Sequence, residues 1–154
     1  MVVFAEIYNQ RIYAGLGVDV EFVQDNHSLS VEVSTVWGLH FQTPPAAQAK
    51  LVRCERGADF HVAVDIRKGS PIFGQWTGYM LTAENGVQLF IPAGFAHGFV
   101  TLEPDSEIVY KCSDYCAPET DAALRWNGSA IGIDPPPSGD TTLSDKDAAA
   151  PMLA

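Results

Sequence analysis

The sequence predicts an all-β domain, a sandwich or barrel of many short strands. Three observations carry this. Segments of strand length recur at near-regular spacing along most of the chain. Turn residues separate them, at Thr43-Pro44-Pro45, Arg56-Gly57, Lys68-Gly69-Ser70-Pro71, Glu84-Asn85-Gly86, Pro92-Ala93-Gly94 and Glu103-Pro104-Asp105. The 154 residues are 47% apolar and 18% charged, which suits one globular domain with its own core and excludes a disordered chain.

The elements follow in order. Residues 6–16 predict one short helix, since Ile7, Tyr8, Ile12 and Leu16 recur at helical spacing and Gly15 and Gly17 would end it. Strands are expected at 19–24, 35–42 and 50–55. Phe60, Val62, Val64 and Ile66 alternate strictly, so His61, Ala63, Asp65 and Arg67 face the other way, on what reads as the polar face. Further strands are expected at 75–81, 86–91, 98–102 and 107–112. His27 falls in the polar string Asp25-Asn26-His27-Ser28, which reads as a loop. From Asp114 the chain reads as an irregular arm packed on the barrel, containing Pro135-Pro136-Pro137 and a last short helix near 144–150 that Ser144 could cap.

Charge narrows the partners. Nine Lys and Arg against 19 Asp and Glu leave a net charge of −10, which argues against nucleic acid. It does not forbid a phosphorylated small ligand held by a few local cations. No apolar run approaches a membrane span, and the first residues do not read as a secretion signal. The odd count of Cys54, Cys112 and Cys116 reads as free thiols in a reducing cytoplasm.

The residues with chemistry are few. No second His or carboxylate stands two positions from His40 or His97, and there is no Cys-x-x-Cys, so no catalytic metal is expected. His61 and Asp65, four apart on one strand face, are the remaining metal candidates. No Gly-x-Ser-x-Gly or glycine-rich phosphate loop occurs. Proton transfer remains. His40 and His97 lie in apolar strand-like segments, where a base and a satisfied core histidine are both open. Lys50 is either a rim lysine or a buried cation awaiting an anion or carbonyl oxygen. Tyr110 could be a core aromatic and Asp147 a solvated tail residue.

Six segments decide more: QDNHSLS, GLHFQTPPAAQAKLVR, VAVDIRKGSPIFG, IPAGFAHGFVTL, VYKCSDY and LSDKDAAAP. Together, from about Phe4 to the C-terminus, they resemble the dTDP-4-dehydrorhamnose 3,5-epimerases, cupin-type (jelly-roll) barrels of dTDP-L-rhamnose biosynthesis. The resemblance implies one cupin-like domain over residues 1–154, without the family's first N-terminal strand. It implies a cytoplasmic homodimer acting on a dTDP-linked 4-keto-6-deoxyhexose, with no cofactor and no metal. Hydrogens at C3 and C5 are α to the ketone, so a base can remove them through an enolate. By motif, His40 is the base, Asp147 its carboxylate partner, Tyr110 the proton donor on the other face, and Lys50 the cation at the enolate oxygen. Gln24, Asn26, Gln42 and His97 correspond to substrate-binding positions. The departures from the family pattern are Trp37 where Arg is usual, His61 where Asp is common, Cys116 where a second Tyr is usual, and Asn127-Gly128-Ser129 where a segment containing Asp-Pro is usual. Trp37 and His61 are expected to touch the substrate and to bear on whether C3, C5 or both are inverted. A sugar-nucleotide-binding cupin without turnover is the non-enzymatic alternative.

Overall fold

The computed structural model describes residues 2–134 and 141–154. Pro135-Pro136-Pro137 lies outside them. Among the described residues, ten strands form two sheets. The four-stranded sheet has the order β1 (Gln24–Ser30), β8 (Ser106–Cys112), β3 (Lys50–Arg56), β6 (Gln88–Ile91). The six-stranded sheet runs β10 (Thr142–Leu143), β2 (Thr35–Gln42), β7 (Phe95–Thr101), β4 (Ala58–Asp65), β5 (Trp76–Thr82), with β9 (Asp121–Ala123) also on β2. Every pairing is antiparallel except β10 with β2.

Strand alternation divides the apolar residues into two cores. Between the sheets lie Val52 and Cys54 of β3, Ile108 of β8, Ile91 of β6, Ala63 of β4 and Leu81 of β5. On the outer face of the six-stranded sheet, Leu39, Val62, Val64 and Ala96 pack with Leu124 and Ile131 of the C-terminal arm. Seven of the eight β4 residues are therefore buried, because both of its faces are covered. The face carrying His61 and Asp65 is not polar surface. It is the inner wall, where both residues are 0% exposed.

Two α-helices among the described residues flank the sandwich. Helix α1 (Gln10–Gly15) is shorter than the periodicity predicts, because the Asn9 side chain accepts from the amides of Arg11 and Ile12 and starts the helix there. Tyr8, ahead of it, is extended and packs edge-on against Tyr13 and Phe22. Helix α2 (Asp145–Ala148) begins where expected, with Ser144 Oγ accepting from Asp147 N at 3.1 Å.

The first predicted strand is displaced. Residues 19–23 are outside any strand, and β1 instead spans Gln24–Ser30, paired along its length with β8. His27 is on this strand, not in a loop, and meets Glu107 at 2.9 Å. The string QDNHSLS lacks an apolar face because its inward residues line a polar cavity, so hydrophobic alternation cannot find it.

A bulge in β2 sets the site. Trp37 faces Phe99 and His40 faces His97, so three steps on β2 match two on β7. In an unbroken strand Trp37 and His40 would face opposite ways; the extra residue turns both inward. Gly98 permits the close strand approach here, since a Cβ on it would lie 2.6 Å from the Trp37 carbonyl oxygen.

Candidate active site

The inner faces of the two sheets bring the polar residues together. From the four-stranded sheet, Gln24 and Asn26 lie beside Cys112 and Tyr110, and Lys50 lies on the other side of Cys112. From the six-stranded sheet, His40 and His97 are paired neighbours.

His40 and Asp147 form a dyad. His40 Nε2 makes a short hydrogen bond to Asp147 Oδ1. Asp147 is 4% exposed although it belongs to a four-residue helix near the C-terminus. Its Oδ2 accepts from Gly38 N at 3.1 Å, and its own amide is held by Ser144. With Nε2–H given to the carboxylate, an imidazole carrying one proton bears its lone pair on Nδ1.

Lys50 Nζ lies 5.6 Å from the centre of the Tyr110 ring, in cation–π range. Burial lowers the pKa of Lys50 below its ordinary value, opposed by Cys112, Asp121 and Cys116. Burial raises that of Tyr110, with Asn26 partly offsetting it through a hydrogen bond. Lys50 and Tyr110 thus stand side by side on the inner face of the four-stranded sheet.

His61, expected to touch substrate, lies behind the cavity wall. It is 0% exposed, and its Nδ1 is 3.0 Å from His97 Nε2. The two rings lie edge to edge and nearly coplanar across that bond, with centroids 5.3 Å apart, and Phe99 stacks on His61 at 5.0 Å. Trp37 continues this row at the mouth, stacked on Phe99 at 5.9 Å, with Nε1 donating to Ser30 Oγ at 3.0 Å. Aromatic contacts of this kind are worth about 0.5–1.5 kcal/mol each beyond area burial. Trp37 is 41% exposed and offers an apolar face to a ligand. Burial holds both histidines neutral: His61 is lowered to about 3, and His97 lies well below the histidine range, with His61, Lys50 and His40 adding to it.

Gln42, also expected at the substrate, is a backbone clamp. Its Nε2 donates to Ala46 O at 2.7 Å and Tyr115 O at 3.2 Å, and its Oε1 accepts from Ala117 N at 2.9 Å. Those three bonds occupy the amide and tie the loop after β8 to β2. Gln24 and Asn26 alternate on one side of β1, opposite Cys112 and Tyr110. Gln24 Nε2 donates to Asn26 Oδ1 at 2.9 Å, while Gln24 Oε1 accepts from Cys116 N at 3.1 Å. Asn26 Nδ2 contacts Cys112 Sγ at 3.8 Å.

His61 and Asp65 are not brought together around an ion. The Asp65 carboxylate is taken by Arg67 Nε and Nη2, at 3.0 and 2.7 Å, and by Ser70 Oγ at 2.6 Å. Among the described residues no group of three potential metal ligands converges.

Sequence reading missed Phe99, Gly38 and Cys112. Phe99 was accessible as the same-face neighbour of His97, two positions on. Gly38 and Cys112 carry no signal until their cross-strand neighbours are known.

Comparison with known proteins agrees with this geometry. The dTDP-4-dehydrorhamnose 3,5-epimerase family profile matches residues 2–154. The chain is 55% identical to the enzyme of that name from Salmonella typhimurium over 151 residues, 97% of this chain and 82% of the relative. A crystal structure of the Bacillus anthracis enzyme with TDP and pyrophosphate bound is 47% identical, with a TM-score of 0.94 over 97% of this chain and 85% of that one. The Legionella pneumophila enzyme in complex with dTDP-4-keto-L-rhamnose is 44% identical, with a TM-score of 0.92 over 97% and 79%. With a matching profile, a shared jelly-roll fold and a carboxylate-tethered histidine opposite a lysine and a tyrosine, the chain belongs to the dTDP-4-dehydrorhamnose 3,5-epimerase family.

Proposed function

We propose that this protein is a cofactor-independent isomerase that epimerises dTDP-4-dehydro-6-deoxy-D-glucose at C3 and C5 to dTDP-4-dehydro-L-rhamnose. The observation that carries this is the His40–Asp147 dyad on the six-stranded sheet and the Lys50–Tyr110 pair on the inner face of the four-stranded sheet, with His97 within electrostatic reach of both His40 and Lys50. His40 Nδ1 takes the proton α to the C4 ketone, and Asp147 stabilises the imidazolium that forms. Lys50 meets the enolate oxygen, where a desolvated cation favours the transition state over the ketone. Tyr110, on the opposite sheet, returns a proton from the other face, which inverts the carbon. Gln24 and Asn26 bind the nucleotide part, His97 binds the sugar, and Trp37 gives an aromatic face at the mouth. The free Cys54, Cys112 and Cys116 suit a cytoplasmic enzyme.

A homodimer fits the outer face of the six-stranded sheet. Val36, Phe60, Val62, Trp76, Met80 and Val100 line an apolar groove of about 350 Å³ there. Contiguous apolar surface of this kind marks a protein contact. Light scattering at micromolar concentration is expected to give twice the chain mass.

The deciding experiment is incubation with dTDP-4-dehydro-6-deoxy-D-glucose in deuterated water, followed by NMR. Deuterium at both C3 and C5 is the expected result. Deuterium at one carbon would replace the reading with a single-site epimerase, and binding without exchange would replace it with a sugar-nucleotide-binding protein.

A further inference from the structure

We propose that His61 is a positioning residue that sets the tautomer of His97, so that His97 presents its Nδ1–H as a hydrogen-bond donor to a sugar oxygen in the cavity.

Two imidazoles stand side by side on β2 and β7, and each is tethered through Nε2. His40 Nε2 is bound to Asp147, and His97 Nε2 is bound to His61 Nδ1. The tethers differ in kind. A carboxylate can only accept, so His40 carries its proton on Nε2 and leaves Nδ1 bare. A neutral imidazole can accept or donate, so the direction of the second bond depends on what surrounds His61.

The surroundings of His61 give the direction. Its Nε2 is buried with no hydrogen-bond partner among the described residues. If His97 Nε2–H donated to His61 Nδ1, the proton of neutral His61 would sit on that Nε2, as a buried donor with nothing to meet. Orphaned buried N–H groups are the rarest kind of unsatisfied polar group in folded proteins. With the bond reversed, His61 Nδ1–H donates, its Nε2 bears only a lone pair, and His97 carries its proton on Nδ1. Phe99, stacked on His61, keeps the ring from turning.

The pair of histidines then has opposite polarity at the cavity. His40 offers a base and the adjacent His97 offers a donor, so an oxygen bound by His97 is placed beside the atom that His40 deprotonates. An acceptor-only residue at position 61 would demand Nε2–H of His97, which leaves Nδ1 bare unless the ring is charged. The identity of the bound oxygen rests on the epimerase reading. The tautomer does not.

The test is long-range ¹⁵N–¹H correlation NMR of the full-length protein at about pH 7, with His97 assigned by comparison with His97→Gln. The wild type is expected to show neutral His97 with its proton on Nδ1. His61→Asn, whose amide can donate from the place of Nδ1, is expected to keep that pattern and to retain kcat within about threefold. His61→Asp is expected to place a proton on His97 Nε2, either moved from Nδ1 or added to it. A wild-type His97 protonated on Nε2, or a His97 spectrum unchanged in His61→Asp, would overturn the assignment. Should His61→Asp fail to fold, the wild-type and His61→Asn spectra decide alone. Absence of deuterium exchange alongside the expected tautomer would remove the epimerase reading and leave the His61–His97 assignment standing.

Discussion

Gly38 holds the place that lets Asp147 reach His40. A Cβ at position 38 would lie 3.2 Å from Asp147 Cγ and 3.5 Å from Oδ1, while the Gly38 amide donates to Oδ2. Gly38→Ala is therefore expected to push the carboxylate off Nε2 without disturbing the core. The rate should fall by about 10–100-fold, since small misplacements of a catalytic pair cost on that order. Deuterium exchange kinetics with unchanged far-UV circular dichroism would show it, and a wild-type rate would mean that the helix yields instead.

Asp147→Asn separates charge from position. An amide at this place can donate to Nε2, which would move the proton of His40 to Nδ1 and leave no base at the substrate. The expected loss is in kcat, about 10²–10⁴-fold, with KM nearly unchanged. A large rise in KM with kcat retained would assign Asp147 to binding.

The alkaline limb of the pH profile should belong to Lys50. Its pKa is lowered from 10.5 mainly by burial, so its charge is lost at a lower pH than that of an exposed lysine. Tyr110 moves upward from 10.0 and stays protonated across that range. The activity should fall as pH rises toward the lowered Lys50 value, and Lys50→Arg should move the limb upward, even at a reduced rate. A limb that stays in place in Lys50→Arg would belong to another group.

Asp59 gives a stability test away from the chemistry. It is 0% exposed, and neither carboxylate oxygen has a hydrogen-bond partner among the described residues. Burial raises its pKa from 3.8 to about 7, partly offset by the nearby Cys54 thiol and reinforced by Glu103. The folded state thus holds a proton that the unfolded chain releases. The contribution of Asp59 is most favourable below about pH 4 and declines as pH rises to about 7. Asp59→Asn should raise the melting temperature above pH 7 relative to wild type, with a difference that shrinks toward pH 4. An equal shift at both ends would mean that Asp59 does not titrate in this window.

Regular elements were legible wherever one strand face is apolar. Val62 and Val64 alternate with His61 and Ala63, and β4 forms as that pattern requires. The pattern failed at β1, whose inward positions Gln24 and Asn26 are polar because they line the cavity. It also assigned His61 to an outer polar face, since period 2 separates two faces without saying which is covered. Resemblance of the six segments named His40, Lys50, Tyr110 and Asp147, and the structure pairs His40 with Asp147 and sets Lys50 beside Tyr110. It placed Gln42 and His61 at the substrate as well, whereas backbone groups engage the first and His97 shields the second.

The sequence by itself determined the all-β class, the turns, the Ser144 cap and the residue types available for proton transfer. These are local matters, set by spacing, propensity and side-chain chemistry. Tertiary structure alone decided that Asp147 meets His40 across 107 positions, that a bulge turns Trp37 and His40 to the same side, and that His61 supports His97 from behind. Each depends on strand register and on which face another element covers. Those follow from how the whole chain buries its apolar surface, which no local window contains.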